Sequence, residues 1–283
     1  MPISPSSAAQ AAREAVAARL RELRVDAGLS GGELGRRCEW THSKSSRIEN
    51  ARTPPTPDDI RRWCAACGAA DQAAELVARS QTAETQYVDW RRKMRVGLRQ
   101  LQHSYDPLFQ ATRLFRVYSA TAVPGLLQSE GYTRGVLSSI TRFREIPDEV
   151  DGAVAARMAR SNILRDPKRR FVMVVEEAAL YYQMADGEAM AAQLGHLMTV
   201  GAMPTVSFGI IPAAFPQRPK GPAETFHMYD DSVVSVELTS AVITLTQPNE
   251  IALYDRAFAE YQGMAVYGAE ARALIVSALQ ALR

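Results

Sequence analysis

The fold of the N-terminal part follows from residues 29–50, which read LSGGELGRRCEWTHSKSSRIEN. Ser30 predicts the N-cap of a short helix, and Glu33 three residues later completes a capping box. Thr41 predicts the cap of a second short helix, which runs to the end of the stretch. Only Glu39 and Trp40 are left to join the two helices. So tight a connection predicts a crossed helix pair, the arrangement called helix-turn-helix.

Helical periodicity continues on the N-terminal side of this stretch. Apolar residues recur at three- and four-residue spacing over residues 11–27, which predicts a helix that Gly28 ends. The first ten residues, MPISPSSAAQ, are rich in Ser, Pro and Ala. They predict a disordered arm at residues 1–10.

The C-terminal side of the stretch predicts one more helix of the same domain. Asp58 and Asp59 place negative charge at the start of this helix, where the helix dipole favours it, and Gly68 ends it. We therefore expect a helical domain over residues 11–80. Its small core is predicted to consist of Leu20, Leu29, Leu34 and Ile48.

The outer face of the second short helix combines short polar and cationic side chains and carries no acid. These side chains are His42, Ser43, Lys44, Ser46 and Arg47. Residues 1–100 hold 17 Lys and Arg against 12 Asp and Glu, whereas the rest of the chain holds 16 against 19. A basic N-terminal part that carries such a helix face predicts contacts to the phosphates and base edges of DNA. The alternative is a helical bundle whose basic face is merely solvated.

This segment resembles the XRE family of helix-turn-helix regulators, which includes phage repressors and Cro proteins. The resemblance rests on Leu29-Ser30, Glu33-Leu34, Ser46-Arg47-Ile48-Glu49-Asn50 and Arg52-Thr53-Pro54. It implies base reading by His42, Ser43 and Arg47, with Ser46 beside them on the same face. It also implies phosphate contacts by Lys44, Asn50 and Arg52, and a partly buried ion pair between Arg24 and Glu49.

Two residues depart from the XRE pattern. Ala51 stands where the family usually has a glycine after the recognition helix, so a left-handed turn there would cost about 1 kcal/mol more. Gly31 stands where many members place a glutamine that touches phosphate. We expect that contact to be lost.

Beyond residue 80 the pattern of predicted secondary structure changes. Residues 81–103 read as a helical connector, within a long helical stretch from Asp71 to about Leu101. Residues 104–283 mix strands and helices and predict an α/β domain, so the fold class expected for the whole chain is α + α/β. The predicted strands are Leu114–Tyr118, Phe171–Glu176, Thr205–Ile211, Glu224–Tyr229, Val233–Leu238 and Ala241–Thr246.

This C-terminal part resembles the domain of unknown function that accompanies such a helix-turn-helix in actinobacterial regulators of the WhiJ type. The matching motifs are VPGLLQSEGY at 123–132, ARMAR at 156–160, VEEAAL at 175–180, QLGHL at 193–197 and the strand Val233–Glu237. Such regulators are often encoded beside a small acidic or mixed-charge protein, so the resemblance implies a protein partner for this domain. Ser161, Tyr181 and Tyr182 depart from the family pattern.

The candidate partner or ligand residues of this part are Arg157, Arg160, Glu177, Tyr181 and Tyr182. Arg157 and Arg160 lie three apart on one predicted helix face, where they could meet Glu177 or an anionic group of a partner. A second set, of aromatic residues, could line a small-molecule pocket or fill the core of the sheet domain. This set is Tyr181, Tyr182, Phe208, Phe215, Phe226 and Tyr229.

No metal or cofactor is expected. Cys38, His42, Cys64 and Cys67 have a spacing that could ligate zinc, but His42 is expected on the exposed side of its helix, away from the core positions of Cys64 and Cys67. The last two also form a redox-like CxxC pattern, for which packing inside a helix is the preferred explanation. No motif of a nucleophile elbow, a phosphate loop or a zinc protease occurs, which argues against an enzyme.

The sequence therefore predicts a cytoplasmic, nucleoid-associated and sequence-specific DNA-binding transcriptional regulator. One helix-turn-helix reads only a few base pairs, so we expect a homodimer on an inverted-repeat operator. The C-terminal domain is expected to dimerise and to sense a small protein partner or ligand. The alternative is an antitoxin-like module that binds a small neighbour-encoded protein and uses DNA binding only for autoregulation.

Overall fold

The computed structural model describes the backbone of residues 5–282 and the side chains of residues 13–80, 90 and 93–282. Two compact units make up the chain. The N-terminal unit comprises Met1–Val88 with Ala241–Ile243, and the C-terminal unit comprises Asp89–Ser240 with Thr244–Arg283.

Five helices form the N-terminal unit. They are α1 (Pro5–Asp26), α2 (Gly31–Arg37), α3 (His42–Glu49), α4 (Pro57–Ala66) and α5 (Ala73–Gln86). The predicted core residues Leu20, Leu29, Leu34 and Ile48 are all buried, and Trp63 of α4 joins them. The Trp63 indole N–H donates to the backbone oxygen of Leu20 at 2.8 Å, which connects α4 to α1.

The predicted arm over residues 1–10 is wrong for residues 5–10, because α1 already begins at Pro5. Proline is tolerated in the first turn of a helix, and the alanines that follow it are strong helix formers. The remainder of the predicted arm, residues 1–4, lies outside the described residues.

The predicted continuous helix from Asp71 to about Leu101 is also wrong. Helix α5 ends at Gln86, and a short strand β1 (Tyr87–Asp89) and two short helices follow it, α6 (Trp90–Met94) and α7 (Leu98–His103). Gly97 between these helices has φ of 88°, a left-handed conformation that a helix cannot contain. The connector is therefore a series of short elements.

The C-terminal unit alternates strands and helices. Its further strands are β2 (Leu114–Ser119), β3 (Arg170–Glu176), β4 (Val206–Ile211), β5 (Phe226–Tyr229) and β6 (Val233–Glu237). Strand β7 (Ala241–Leu245) is divided between the two units, since Ala241–Ile243 belong to the N-terminal one. The further helices of the C-terminal unit are α8 (Asp106–Ala111), α9 (Glu130–Arg144), α10 (Val150–Ser161), α11 (Gly187–Val200), α12 (Pro248–Met264) and α13 (Gly268–Ala281).

The strands of the C-terminal unit run in the order β6-β5-β2-β3-β4. Strand β2 pairs in parallel with β3, which pairs in parallel with β4, whereas β5 is antiparallel to both β2 and β6. The sheet is mixed and buried on both faces, since Phe115 of β2 belongs to one buried cluster with residues of α11 and α13, and Tyr118 stacks on Tyr261 of α12 at 3.7 Å. The predicted fold class, α + α/β, is confirmed.

Candidate nucleic-acid interface and C-terminal cavity

The crossing of α2 and α3 depends on a tight backbone approach. A Cβ at Gly35 would lie 2.9 Å from the backbone oxygen of Trp40, so only glycine fits there. Glu39 in the connection has φ of 62°, the left-handed conformation that reverses the chain. At the start of α2, the capping box of Ser30 and Glu33 is formed as predicted, with bonds of 3.2 and 2.8 Å.

The outer face of α3 is open to solvent. His42, Ser43 and Arg47 are exposed, and Ser46 is partly exposed. Asn50 is exposed too, but its side-chain amide donates to the Ser46 backbone oxygen at 2.7 Å and so closes the end of α3. The face can therefore offer hydroxyl, imidazole and guanidinium donors to a duplex groove, the donor types that read base edges.

Arg47 and Arg52 are the cations that the structure leaves available near this face. Both side chains are exposed, and neither forms an ion pair with a described residue. Arg52 lies three residues beyond the end of α3, and its backbone N–H donates to the Arg47 oxygen at 2.9 Å. A backbone anchored in this way holds the Arg52 side chain close to the end of α3.

Lys44 is engaged within the protein, although the resemblance implies a phosphate contact. Its ammonium nitrogen lies 2.5 Å from the Asp59 carboxylate and 4.5 Å above the Trp40 ring. Burial acts to raise the pKa of Asp59, but hydrogen bonds from Lys44 and from Thr56 outweigh it and hold that pKa below its ordinary value. Lys44 would have to leave this carboxylate before it could bind a phosphate.

Arg24 and Glu49 form an ion pair that joins α1 to α3. The Arg24 guanidinium bonds both carboxylate oxygens of Glu49 and also donates to the Leu29 backbone oxygen at 2.6 Å. The two side chains are 15% and 13% exposed. A bidentate pair with this little solvent fixes the orientation of α3 on the rest of the unit.

Ala51 has φ of 51°, so the residue after α3 is left-handed. We expect Ala51→Gly to raise the free energy of unfolding of the N-terminal unit by about 1 kcal/mol, because glycine adopts this conformation without a Cβ clash. Urea unfolding followed by far-UV circular dichroism measures the change. Ala18→Gly, in the middle of α1, is the control and should lower stability by about as much. A destabilised Ala51→Gly protein would contradict the expectation.

A cavity of about 530 Å³ lies inside the C-terminal unit. Helices α6 to α10 and strands β2, β5 and β6 supply its walls, which are largely apolar and aromatic. Two cations of α10, Arg157 and Arg160, face into it. Of the aromatic set proposed from the sequence, only Tyr229 lines this cavity. Phe208 and Phe226 are core residues, Phe215 is partly buried elsewhere, and Tyr181 and Tyr182 are exposed.

Arg157 and Arg160 form no ion pair with Glu177, contrary to one of the two sequence hypotheses. Glu177 instead accepts the Ala213 backbone N–H at 2.7 Å and lies within 3.5 Å of the Tyr181 hydroxyl. Glu177 begins a single 3-10 turn (Glu177–Leu180) directly after β3. From this turn its carboxylate reaches Ala213, in the loop that follows β4. Helical spacing on α10 correctly grouped the two arginines but could not reveal which residues face them.

Two protein families match this chain, one in each unit. Residues 15–77 match a helix-turn-helix domain family, and residues 110–277, more than half of the chain, match the family described as Domain of unknown function (DUF5753). The chain belongs to the DUF5753 family. No curated protein and no solved structure matches it. The helix-turn-helix match points to a DNA-binding regulator rather than to an enzyme.

The DUF5753 domain, residues 110–277, contains one polar cluster that sequence reasoning missed. Arg218 bonds both oxygens of the buried Glu176 carboxylate at 2.7 and 2.8 Å, and the Tyr118 hydroxyl donates to the same group at 2.8 Å. Burial and this hydrogen bond raise the pKa of Tyr118, and the Glu176 carboxylate raises the pKa of Arg218. The cluster joins the end of β3 to the loop between β4 and β5.

The cysteines of the helix-turn-helix domain are buried or partly buried and reduced. Burial raises the pKa of Cys38 and of Cys67 to about 11, so both thiols are protonated near neutral pH. Among the described residues, no group of three or more His, Cys, Asp and Glu side chains could hold a metal ion. Within residues 5–282, no helix is both long and apolar enough to cross a membrane.

Proposed function

We propose that this protein is a sequence-specific transcriptional regulator of the XRE, WhiJ-like type, in which α3 reads the major groove. The observation that carries the proposal is the open outer face of α3, where His42, Ser43 and Arg47 are exposed and no acidic side chain intervenes. Arg52 and Asn50 follow at the end of the helix, where phosphates would lie. Because its target is chromosomal DNA, the regulator acts in the cytoplasm on the nucleoid.

A homodimer is part of this proposal. A single recognition helix contacts only a few base pairs, so useful specificity needs two half-sites about one helical turn apart. The DUF5753 domain supplies the dimer surface and the sensory function. Selection of random duplexes with the full-length protein tests this directly. An inverted repeat is expected, and the recovery of no common sequence would overturn the proposal.

Arg47→Ala should lower the affinity for the selected operator about ten- to a hundredfold, because a bidentate arginine–guanine contact supplies about 1–3 kcal/mol of discrimination. Affinity for unrelated DNA should fall much less. Arg52→Ala is the comparison and should weaken all sequences alike, with a flatter salt dependence. Fluorescence anisotropy at several salt concentrations measures both. Unchanged operator specificity in Arg47→Ala would show that α3 is not the reading helix.

A second candidate function is an antitoxin-like module that binds a small neighbour-encoded protein and uses DNA binding for autoregulation alone. The exposed pair Tyr181 and Tyr182, 41% and 49% accessible, favours it, because adjacent exposed aromatic rings are typical of protein contacts. Co-expression with the neighbouring gene tests it. Co-purification that Tyr181→Ser with Tyr182→Ser abolishes would support this function.

A further inference from the structure

The cavity of the C-terminal unit has the size and walls of a ligand site. Its volume of about 530 Å³ falls within the range of small-molecule pockets, about 300–1,000 Å³. Leu98, Leu101, Val117 and Leu137 give it an apolar surface, with the rings of Phe109 and Tyr229 between them. A bare inorganic ion would leave most of this apolar volume unfilled.

Two positive charges stand at one side of this cavity without an ion-pair partner among the residues whose side chains the structure describes. Arg157 donates to the side-chain oxygens of Gln102 and Gln128 at 3.2 and 2.7 Å, and Arg160 donates to the side chain of Gln102 at 2.9 Å. Neither arginine forms an ion pair with any residue that the structure describes. Neutral amides satisfy some of the donors but supply no ion-pair partner for either charge.

The surroundings of the two arginines disfavour their charged forms and lower both pKa values. Burial lowers the pKa of Arg157 to about 10, and the like charge of Arg160 adds to the effect. Burial also lowers the pKa of Arg160. Both remain charged at neutral pH, and partly buried like charges destabilise the unit unless an anion joins them.

One donor of these two arginines has no partner in the part of the chain that the structure describes. The Arg160 Nε atom is buried and has no hydrogen-bond partner among the described residues. The Arg160 guanidinium lies 5.1 Å from the Phe109 ring centre and 5.7 Å from that of Tyr105, so aromatic rings hold it in place. A fixed guanidinium with a spare donor is suited to a carboxylate or a sulfonate.

Carboxylates act on these charges without pairing with them: Glu237 acts to raise the pKa of Arg157 and Asp106 that of Arg160, but neither forms an ion pair with them. Glu237 is exposed, and Glu224 accepts the Tyr254 hydroxyl at 2.7 Å. Burial lowers the pKa of His227, with Glu237 opposing it only in part, so this imidazole is neutral at pH 7. Arg144 adds a third cation, 4.8 Å from the Trp90 ring.

We infer that this cavity binds a small organic anion with an apolar or aromatic body, its acidic group held by Arg157 and Arg160. The inference rests on the proposed function, because it names the ligand class that the sensory domain of the regulator receives. The anion would lie between α10 and helices α7 and α8, since the arginines already bond Gln102 of α7 and Arg160 flanks Phe109 of α8. Binding of the anion would hold α7, α8 and α10 in one fixed arrangement.

The test uses two fluorescent dyes with the same aromatic body, anionic 1-anilinonaphthalene-8-sulfonate and neutral N-phenyl-1-naphthylamine. The full-length protein should bind the sulfonate at least tenfold more tightly than the neutral dye. Arg157→Gln and Arg160→Gln should each remove most of this preference. Arg134→Gln is the matched control, because Arg134 is an exposed arginine of α9 that pairs with Asp151 outside the cavity.

A second variant and a second readout keep the test decisive if a glutamine variant unfolds. Arg157→Lys retains the charge and should keep part of the preference for the sulfonate. The sulfonate should raise the melting temperature of the native protein and of Arg134→Gln but not that of folded Arg160→Gln. Equal binding of the two dyes, or an undiminished preference in both glutamine variants, would overturn the inference.

Operator binding measured on the same samples separates the two proposals. Loss of the dye preference with intact operator binding would remove the anion site alone. A dye preference that depends on the arginines in a protein that selects no DNA sequence would remove the proposed function alone.

Discussion

Arg218→Ala is expected to lower the free energy of unfolding of the C-terminal unit by about 3 kcal/mol, because it leaves the buried Glu176 carboxylate without its bidentate partner. The Glu176 side chain is 7% exposed and that of Arg218 is 19% exposed, so water cannot replace the lost bonds. Urea unfolding, with hydrogen exchange of residues 170–176 to locate the change, measures the effect.

The control is a double substitution. Arg218→Met combined with Glu176→Gln removes both charges and should recover much of the stability that Arg218→Ala loses, because no buried charge is left unpaired. Tyr118 can still donate to the glutamine oxygen. A loss below about 1 kcal/mol in Arg218→Ala would show that the pair acts as an ordinary surface salt bridge.

Trp63→Ala should have an effect at least as large on the N-terminal unit, about 3–5 kcal/mol, because it empties the volume of a fully buried indole. The substitution also removes the bond to the Leu20 backbone oxygen and the contact with the Trp40 ring, 6.2 Å away. Trp40 lies in the connection before α3, so α3 should lose its fixed position. Operator binding should fall with stability.

Trp63→Phe distinguishes packing from the hydrogen bond. It keeps most of the apolar contact and loses only the N–H donor, so we expect a cost of about 1–2 kcal/mol with operator binding retained. Hydrogen exchange of residues 13–80 should report the loss in Trp63→Ala, with the C-terminal unit unchanged. Wild-type protection of α3 in that variant would contradict this account.

The sequence predicted local structure well because local chemistry determines it. The capping box at Ser30, the helix end at Gly28 and the alternating apolar strands are decided by neighbours a few residues away. The exposed positions His42, Ser43 and Arg47 of α3 follow from helical periodicity alone. Each of these features is therefore readable without tertiary information.

The parts that the sequence could not predict depend on contacts between distant residues. Lys44 pairs with Asp59, 15 positions away, and Glu176 pairs with Arg218, 42 positions away, so composition and local spacing could not predict either pair. The cavity arises from elements as far apart as α7 and β6. That Arg157 and Arg160 have no acidic partner could be established only once every facing residue was known.

The strand order of the C-terminal unit has a consequence for how the chain acquires its structure during synthesis. Central strand β2 pairs with β5, more than a hundred residues later, so the sheet cannot close until most of the chain has left the ribosome. The helices α1 to α4 contact near neighbours in sequence and can assemble much earlier. A nascent chain would therefore contain a folded helix-turn-helix domain before the sheet of its DUF5753 domain exists.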